Sequence, residues 1–292
     1  VAFLTSKQIS DVAVQLLGRQ LVLPMTGLRI PDSSFAPAAG MTTTVQVPAY
    51  ATAREQENPG DTITYDDLTT VGVDVTLSHL YHATKITDED LTFSIQDFSR
   101  QVLRPQVEAV ARGAEDALAT PMNALPADDT VAADGSDVDA AIMAARAQLS
   151  NANVPLSDRF MAVSPDFASV LLGQANLSPF DSLAGSLAET RQALAQAIIG
   201  TYRGFTVVES SALDAGTAVL YHRSALVFAN VTPAIPAGAA DAATTTHDGV
   251  GLRHIRQYDT DVLSDASVVS TFAAGAVTDA DRIVKLDTDN GS

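Results

Sequence analysis

The chain has no cysteine. Disulfide frameworks, thiolate metal sites and cysteine nucleophiles are therefore excluded. Basic residues are scarce: 17 Lys and Arg stand against 35 Asp and Glu, for a formal net charge of −18. They form no cluster, and a nucleic-acid-binding surface of the usual kind needs a basic patch. An acidic chain repels phosphates rather than holding them. Charged residues of both signs reach only 18%, below the ordinary figure of about 25%. A chain this poor in charge, and rich in Ala, Val and Thr, hides much of its surface in a core or in partners. No apolar run approaches the roughly 18 residues of a membrane span. The opening "VAFLTSKQIS" lacks the apolar core of a signal peptide. The expectation is a soluble protein made in a cytoplasm, with no membrane partner.

Catalytic signatures are missing as well. There is no G-x-S-x-G, no G-x-x-x-x-G-K and no G-x-G-x-x-G after a strand. His79 and His82 stand three apart in a strand-like segment, which puts them on opposite faces and argues against a shared metal. His222 and His254 sit in expected strands without a carboxylate–histidine pattern, and His247 in a connector. "DTDNG" echoes the start of a calcium loop, but no glutamate follows to close it; it reads as a frayed acidic tail. The acidic pairs Asp66–Asp67 and Asp128–Asp129 fall in loops. No catalytic residue, cofactor or metal is expected. A soluble α+β enzyme with a dispersed site is the weaker alternative.

What is present is a chain of 292 residues, 46% of them hydrophobic, enough for one large or two modest domains. Residues 5–18 carry an amphipathic helical pattern ending at Gly18. The prolines at 24, 31 and 37 then favour an extended arm. "MTTTVQVPAY" and "VGVDVTLSHLY" read as strands, the second alternating Val71, Val73, Val75 and Leu77 against polar residues. Roughly twenty mostly polar residues lie between them, too many for a tight hairpin turn. A two-stranded ribbon alone is marginally stable at best, so this one should lean on a neighbour.

Thr87 is a good N-cap, with Asp88, Glu89 and Asp90 loading the first turn of a helix running towards Leu118, with Pro121 just beyond. Pro105 sits inside that stripe, where proline costs roughly 3 kcal/mol. Either it bends one long helix, or a second helix starts there with proline in its first turn. Arg104 is a poor N-cap, which favours the bend. Residues 124–135 read as a loop, and Ser136 with Asp139 imitates a capping box for a helix carrying Val138, Ile142, Ala145 and Leu149. "RFMAVSPDFASVLLG" reads as strand, Ser-Pro start and helix. "SLAETRQALAQAIIG" reads as a further helix or a loop. Strands follow at 202–213 and 217–230, then a Pro/Ala/Thr-rich connector, then three or four short closing strands. The class is α+β.

In their order, these segments resemble the major capsid (coat) protein of tailed bacteriophages, the Hong Kong phage capsid fold shared with encapsulins. "RQLVLPMTGLRI…GMTTTVQVPAY" resembles the family's arm and first strand. "REQENPGDTITYDDLTTVGVDVTLSHLYHATKITDEDL" resembles its extended loop returning into the spine helix. "NVPLSDRFMAVSPDFASVLL" and "GTYRGFTVVESSAL" resemble axial-domain segments, and "YHRSALVFAN" and "RHIRQYDTDVLSDASVVSTFAAGAVTDADRIVKL" the closing strands.

The resemblance implies an N-terminal arm over 1–40, an extended β-loop over 41–84 and a peripheral domain with the spine helix over 85–130. It further implies an axial domain over 131–240 and closing strands of the peripheral domain over 241–292. It implies a structural role: self-assembly into hexamers and pentamers of an icosahedral virion shell, built in the bacterial cytoplasm, around double-stranded DNA held without specific binding. Expected partners are further copies of the chain, a scaffolding protein (or a scaffolding segment cut away before Val1), a portal and a decoration protein. An encapsulin-like compartment or gene-transfer particle remains open. Expected subunit contacts are Arg54, Glu55, Glu57, Asp61, Asp66 and Asp67 in the extended loop, and Pro105 is the expected helix bend.

Overall fold

Alternating β-branched residues make extended backbone the cheap choice over much of the chain, and the strands pair into two large sheets and a ribbon. The computed structural model describes residues 21–35, 40–48, 53–56, 58–60, 62–65, 67, 70–94, 98–132, 134–172, 178–179, 198–239, 241–247 and 250–289. The helix expected over 5–18 and residues 186–197 lie outside them.

In chain order the strands are Leu28–Ile30 (β1), Thr42–Pro48 (β2), Thr70–Thr76 (β3), Ser78–Thr87 (β4), Asp129–Ala132 (β5), Arg159–Val163 (β6), Ser178–Pro179 (β7) and Ile198–Tyr202 (β8). Then come Phe205–Glu209 (β9), Thr217–His222 (β10), Leu226–Val231 (β11), Asp241–His247 (β12), Val250–Asp259 (β13), Ser264–Val277 (β14) and Ile283–Asp289 (β15). Three helices matter most: Arg104–Asn123 (α1), Val138–Asn151 (α2) and Pro165–Leu172 (α3).

The first sheet runs β1-β11-β14-β13-β12, with β4 on the other side of β14. The second runs β5-β15-β10-β6-β9-β8-β7, and β2 and β3 form the ribbon. Strand β15 lies between β5 and β10, so residues 283–289 leave the other closing strands and cross to the second sheet. Strand β11 joins the first sheet, away from β10.

Helix α1 ties the two sheets together. Leu103, Val107, Val110, Ala111 and Ala114 pack with Val250, Leu252, Val269 and Ala273 of the first sheet. One turn further on, Leu118, Ala119 and Met122 pack with Phe160, Val219 and Tyr221 of the second. A stripe at helical spacing thus serves two sheets in succession. The second sheet's other core holds Ile142, Leu149, Phe167 and Leu171 from α2 and α3 against Met161, Val207 and Leu220.

Several local readings are corrected. Helix α1 continues through Pro121 to Asn123, because the burial of Met122 outweighs one lost hydrogen bond. Residues 129–132 are strand rather than loop, paired in parallel with Leu286–Asp289. Asp128 sits beside that edge, its Oδ2 accepting the Lys285 N–H at 2.9 Å. The "DTD" of the expected frayed tail is therefore ladder up to Asp289. His247 ends β12, which pairs with β13; the Thr run is β-branched and finds its partner in that strand. Ser136 does not cap α2. The residue before the helix is Asp137, which makes no cap hydrogen bond, and Asp139 takes a bidentate pair of bonds from Arg203, at 2.6 Å each, with the Tyr202 hydroxyl at 2.9 Å. Those bonds hold the Asp139 carboxyl below its ordinary range.

Candidate assembly surfaces

Among the described residues, the ribbon is anchored at its base. Val71, Val73, Val75 and Leu77 share one face, and burial rises along them: Val71 is 65% exposed, Val75 1% and Leu77 5%. The base packs on Val227, Ala229 and Ala274 of the first sheet. Cross-strand rungs stiffen it: Thr42 Oγ1 and Thr76 Oγ1 are 2.9 Å apart, and Thr44 Oγ1 donates to Asp74 Oδ1 at 2.6 Å. Beyond the last ladder pair, Pro48 with Thr70, the connecting loop displays Ile63 and Tyr65, 58% and 83% exposed. Arg54, Glu55 and Asp67 lie in this loop, all exposed. Glu57, Asp61 and Asp66 lie outside the described residues. The charged residues drew the sequence reading; the apolar pair in "TITY" was the signal it passed over.

A second surface is the segment from Leu21 to Thr26, within the expected arm. Leu21 and Leu23 are fully buried, and the backbone there is held by a side chain from α1. Glu115 Oε2 accepts the Val22 N–H at 3.0 Å; its Oε1 accepts the Leu23 N–H at 2.9 Å and the Ser210 hydroxyl at 3.0 Å. The carboxylate also faces the N-terminus of a single helical turn, Leu23–Thr26. Burial pushes the Glu115 carboxyl above its ordinary value, and the three hydrogen bonds pull it partly back. Thr26 Oγ1 lies 2.5 Å from the Tyr221 hydroxyl, tying the same turn to the second sheet. The backbone at residues 22–26 is therefore well fixed on the body.

The third element is α1 itself. Thr87 caps the approach: its Oγ1 accepts the Asp90 N–H at 3.2 Å and donates to Asp90 Oδ2 at 2.7 Å. Two π-helical turns follow, Asp90–Ser94 and Ser99–Leu103. Regular α-helix begins at Arg104, with Pro105 in its first turn and Leu103 already helical at φ −68° and ψ −45°. The proline thus stands where the wide π spacing gives way to α spacing, in the first turn of the regular helix, where its missing N–H costs little. At the far end, Lys285 Nζ donates to the carbonyls of Asn123 at 2.9 Å and Leu125 at 3.2 Å, a cation closing the negative end of the helix.

The histidines are divided as expected. His79 faces outward and stacks on its cross-strand partner Phe272, ring centroids 4.5 Å apart. His82 faces the helix. His222 Nδ1 accepts the Ser224 N–H at 3.2 Å, capping a short turn. Among the described residues there is no group of three or more His, Cys, Asp or Glu able to hold a metal ion.

Comparison with known proteins bears on the fold that carries these surfaces. The capsid of Ralstonia phage GP4 superposes with a TM-score of 0.65 at 10% identity, over 90% of this chain and 87% of that one. A capsid of a native GTA particle gives 0.61 at 12% identity, over 94% and 90%. A chain of Mycobacterium phage Che8 gives 0.56 at 20% identity, over 85% and 84%. No curated protein matches. These likenesses show a shared fold. The sequence pattern of the family described as phage capsid protein matches residues 70–286, from the returning strand of the ribbon to the strand that caps α1, and with well over half of the chain matched, this protein belongs to the phage capsid protein family.

Proposed function

We propose that the chain is the major shell subunit of a tailed-phage head, self-assembling into hexamers and pentamers of an icosahedral capsid that encloses double-stranded DNA. The observation that carries this is the ribbon: it is anchored at its base, and among the described residues Ile63, Tyr65 and Val71 stand exposed on it. Exposed apolar side chains on a projecting arm call for a neighbouring copy. Residues 1–40 serve as an arm and 41–84 as the extended loop; 85–130 with the first sheet form the peripheral domain, and 131–240 supply most of the axial domain. Arg54, Glu55, Glu57, Asp61, Asp66 and Asp67 then flank the contact rather than centre it, and Pro105 bends the spine helix. A net charge of −18 suits a wall along which packaged DNA slides. Scaffolding, portal and decoration proteins complete the particle, which is assembled in the bacterial cytoplasm. The role is structural.

The likeness to a GTA capsid at a TM-score of 0.61 supports a second reading, a gene-transfer particle or related compartment. Negative-stain microscopy of the purified full chain tests both. Closed shells or rings of capsomers are expected, and small monodisperse particles alone would overturn assembly. Sequencing the nuclease-protected DNA of particles from the native source separates a phage genome from random host fragments.

A further inference from the structure

Among the described residues, two buried side-chain nitrogen or oxygen atoms have no hydrogen-bond partner, and both are imidazole nitrogens: Nδ1 of His82 and Nδ1 of His254. They belong to one row. Val269 is the cross-strand partner of His82 on one side and of His254 on the other. Directly opposed residues in antiparallel strands project to the same face, and Val269 packs under α1. The row therefore lies beneath the first turns of that helix.

Gln106, from the first turn, is fully buried and fixes the direction of every bond around His254. Its Nε2 donates to the Ser267 carbonyl oxygen at 2.8 Å and to Thr84 Oγ1 at 3.0 Å. A backbone carbonyl can only accept, so the amide orientation is set. Its Oε1 can only accept, so the Ser267 hydroxyl must donate to it, at 3.0 Å. That hydroxyl has no second proton. His254 Nε2, 3.1 Å from Ser267 Oγ, must therefore be the donor. The proton of neutral His254 sits on Nε2, and Nδ1 presents a bare lone pair to the buried interior. A second proton would have to go to Nδ1, where no acceptor faces it.

We propose that this row, keyed by Gln106, is a proton-sensitive seat for the start of the spine helix: neutral His254 holds the first turn on the sheet, and a proton on Nδ1 releases it. An imidazolium there must be hydrated, and water reaches it only if the turn carrying Gln106 lifts. The surrounding groups do not rescue the charge. Asp241 on β12 favours the proton; Arg256 on β13 opposes it and is itself bonded to Asp265 on β14. From the helix side Phe98 meets the imidazole edge-on at 6.5 Å. Arg104 and Glu108 on α1 pair with each other at the surface, at 2.8 Å. From β4 the facing titratable group is His82.

Burial accordingly lowers His254 from its usual 6.5 to about 4. The folded state thus takes up its proton later than the open state does. The seat is at full strength above pH 6.5, weakens as pH falls from there to about 4, and levels off below. Opening of the turn should rise by about two orders of magnitude across that window. The inference concerns the subunit and is independent of whether shells form.

Hydrogen exchange of the full chain, corrected for the intrinsic pH dependence, tests it. Amides over 101–110 should lose protection between pH 6.5 and 4 relative to those over 114–123, and His254→Leu should abolish that loss. Identical profiles in the two proteins would overturn the proposal. Should His254→Leu fail to fold, nitrogen-15 spectra of histidine-labelled wild type decide: one imidazole should carry its proton on Nε2 alone and stay neutral at pH 5. Ordinary titration of all five histidines near pH 6.5 would overturn it. Microscopy of the same samples at pH 7 reports on assembly separately.

Discussion

Glu115 Oε1 accepts the backbone N–H of Leu23 at 2.9 Å, joining the middle of α1 to a segment 92 residues earlier. Glu115→Gln keeps the shape but presents an NH₂ where a second donor already points. It should destabilise the subunit by about 1–3 kcal/mol, the cost of a buried donor left unpaired. The pH dependence has a definite sign. The folded value of Glu115 lies above the ordinary 4.5, so its contribution is fully present below pH 4.5 and is lost as pH rises through the folded value. The variant should therefore fall further behind wild type at pH 4 than at pH 7. Denaturant titrations at the two pH values check this.

Gly275 lets α1 lie close on the first sheet. A Cβ there would come within 2.7 Å of the Ala117 carbonyl oxygen and of Leu118 Cα. Backbone cannot move aside as a side-chain tip can. Gly275→Ala should cost about 1–3 kcal/mol by overpacking, read as a lower midpoint in denaturant, and Gly275→Val more.

Pro105→Ala restores an N–H at the change from π to α spacing. If Pro105 bends the helix, the substitution should alter particle size or shell maturation while leaving subunit stability nearly unchanged, because proline costs little in a first turn. Microscopy of assembled particles and thermal denaturation of subunits give the two readings. A large loss of folding yield with normal particles would favour two separate helices.

Replacing residues 54–66 with a short Gly-Ser turn removes Ile63 and Tyr65 together with the charged residues of the loop. The ribbon base, Val75 and Leu77, stays buried. A soluble subunit that no longer forms shells is the expected outcome, by light scattering and microscopy. Normal particles would remove the loop from the assembly contacts.

Local pattern carried a good part of this architecture. The alternation from Val71 to Leu77, the stripe from Val107 to Leu118 and the Ser-Pro start of α3 each report a burial that their own period encodes. What escaped was set by distant partners. Residues 129–132 become strand only because 286–289 arrive beside them. Asp139 looked like a capping residue until Arg203 claimed both its oxygens. Gln106 and Glu115 sit on the buried face of α1, where a polar residue reads as an exception to the stripe, and their partners lie 161 and 92 positions away. In the loop beyond the ribbon, charge density was legible and the two exposed apolar residues, Ile63 and Tyr65, were outweighed by it.

The position of β15 has a consequence for synthesis. Residues 283–289 pair with both β5 and β10, and Lys285 closes the end of α1. A nascent chain can collapse α2 and α3 onto β6 early, as domains do during translation. It cannot complete the second sheet until the ribosome has passed Asp289. Products of premature termination therefore leave a gap between two strands and an uncapped helix beside it. Such fragments offer proteases an open edge before they can compete with full-length subunits for a place in the lattice.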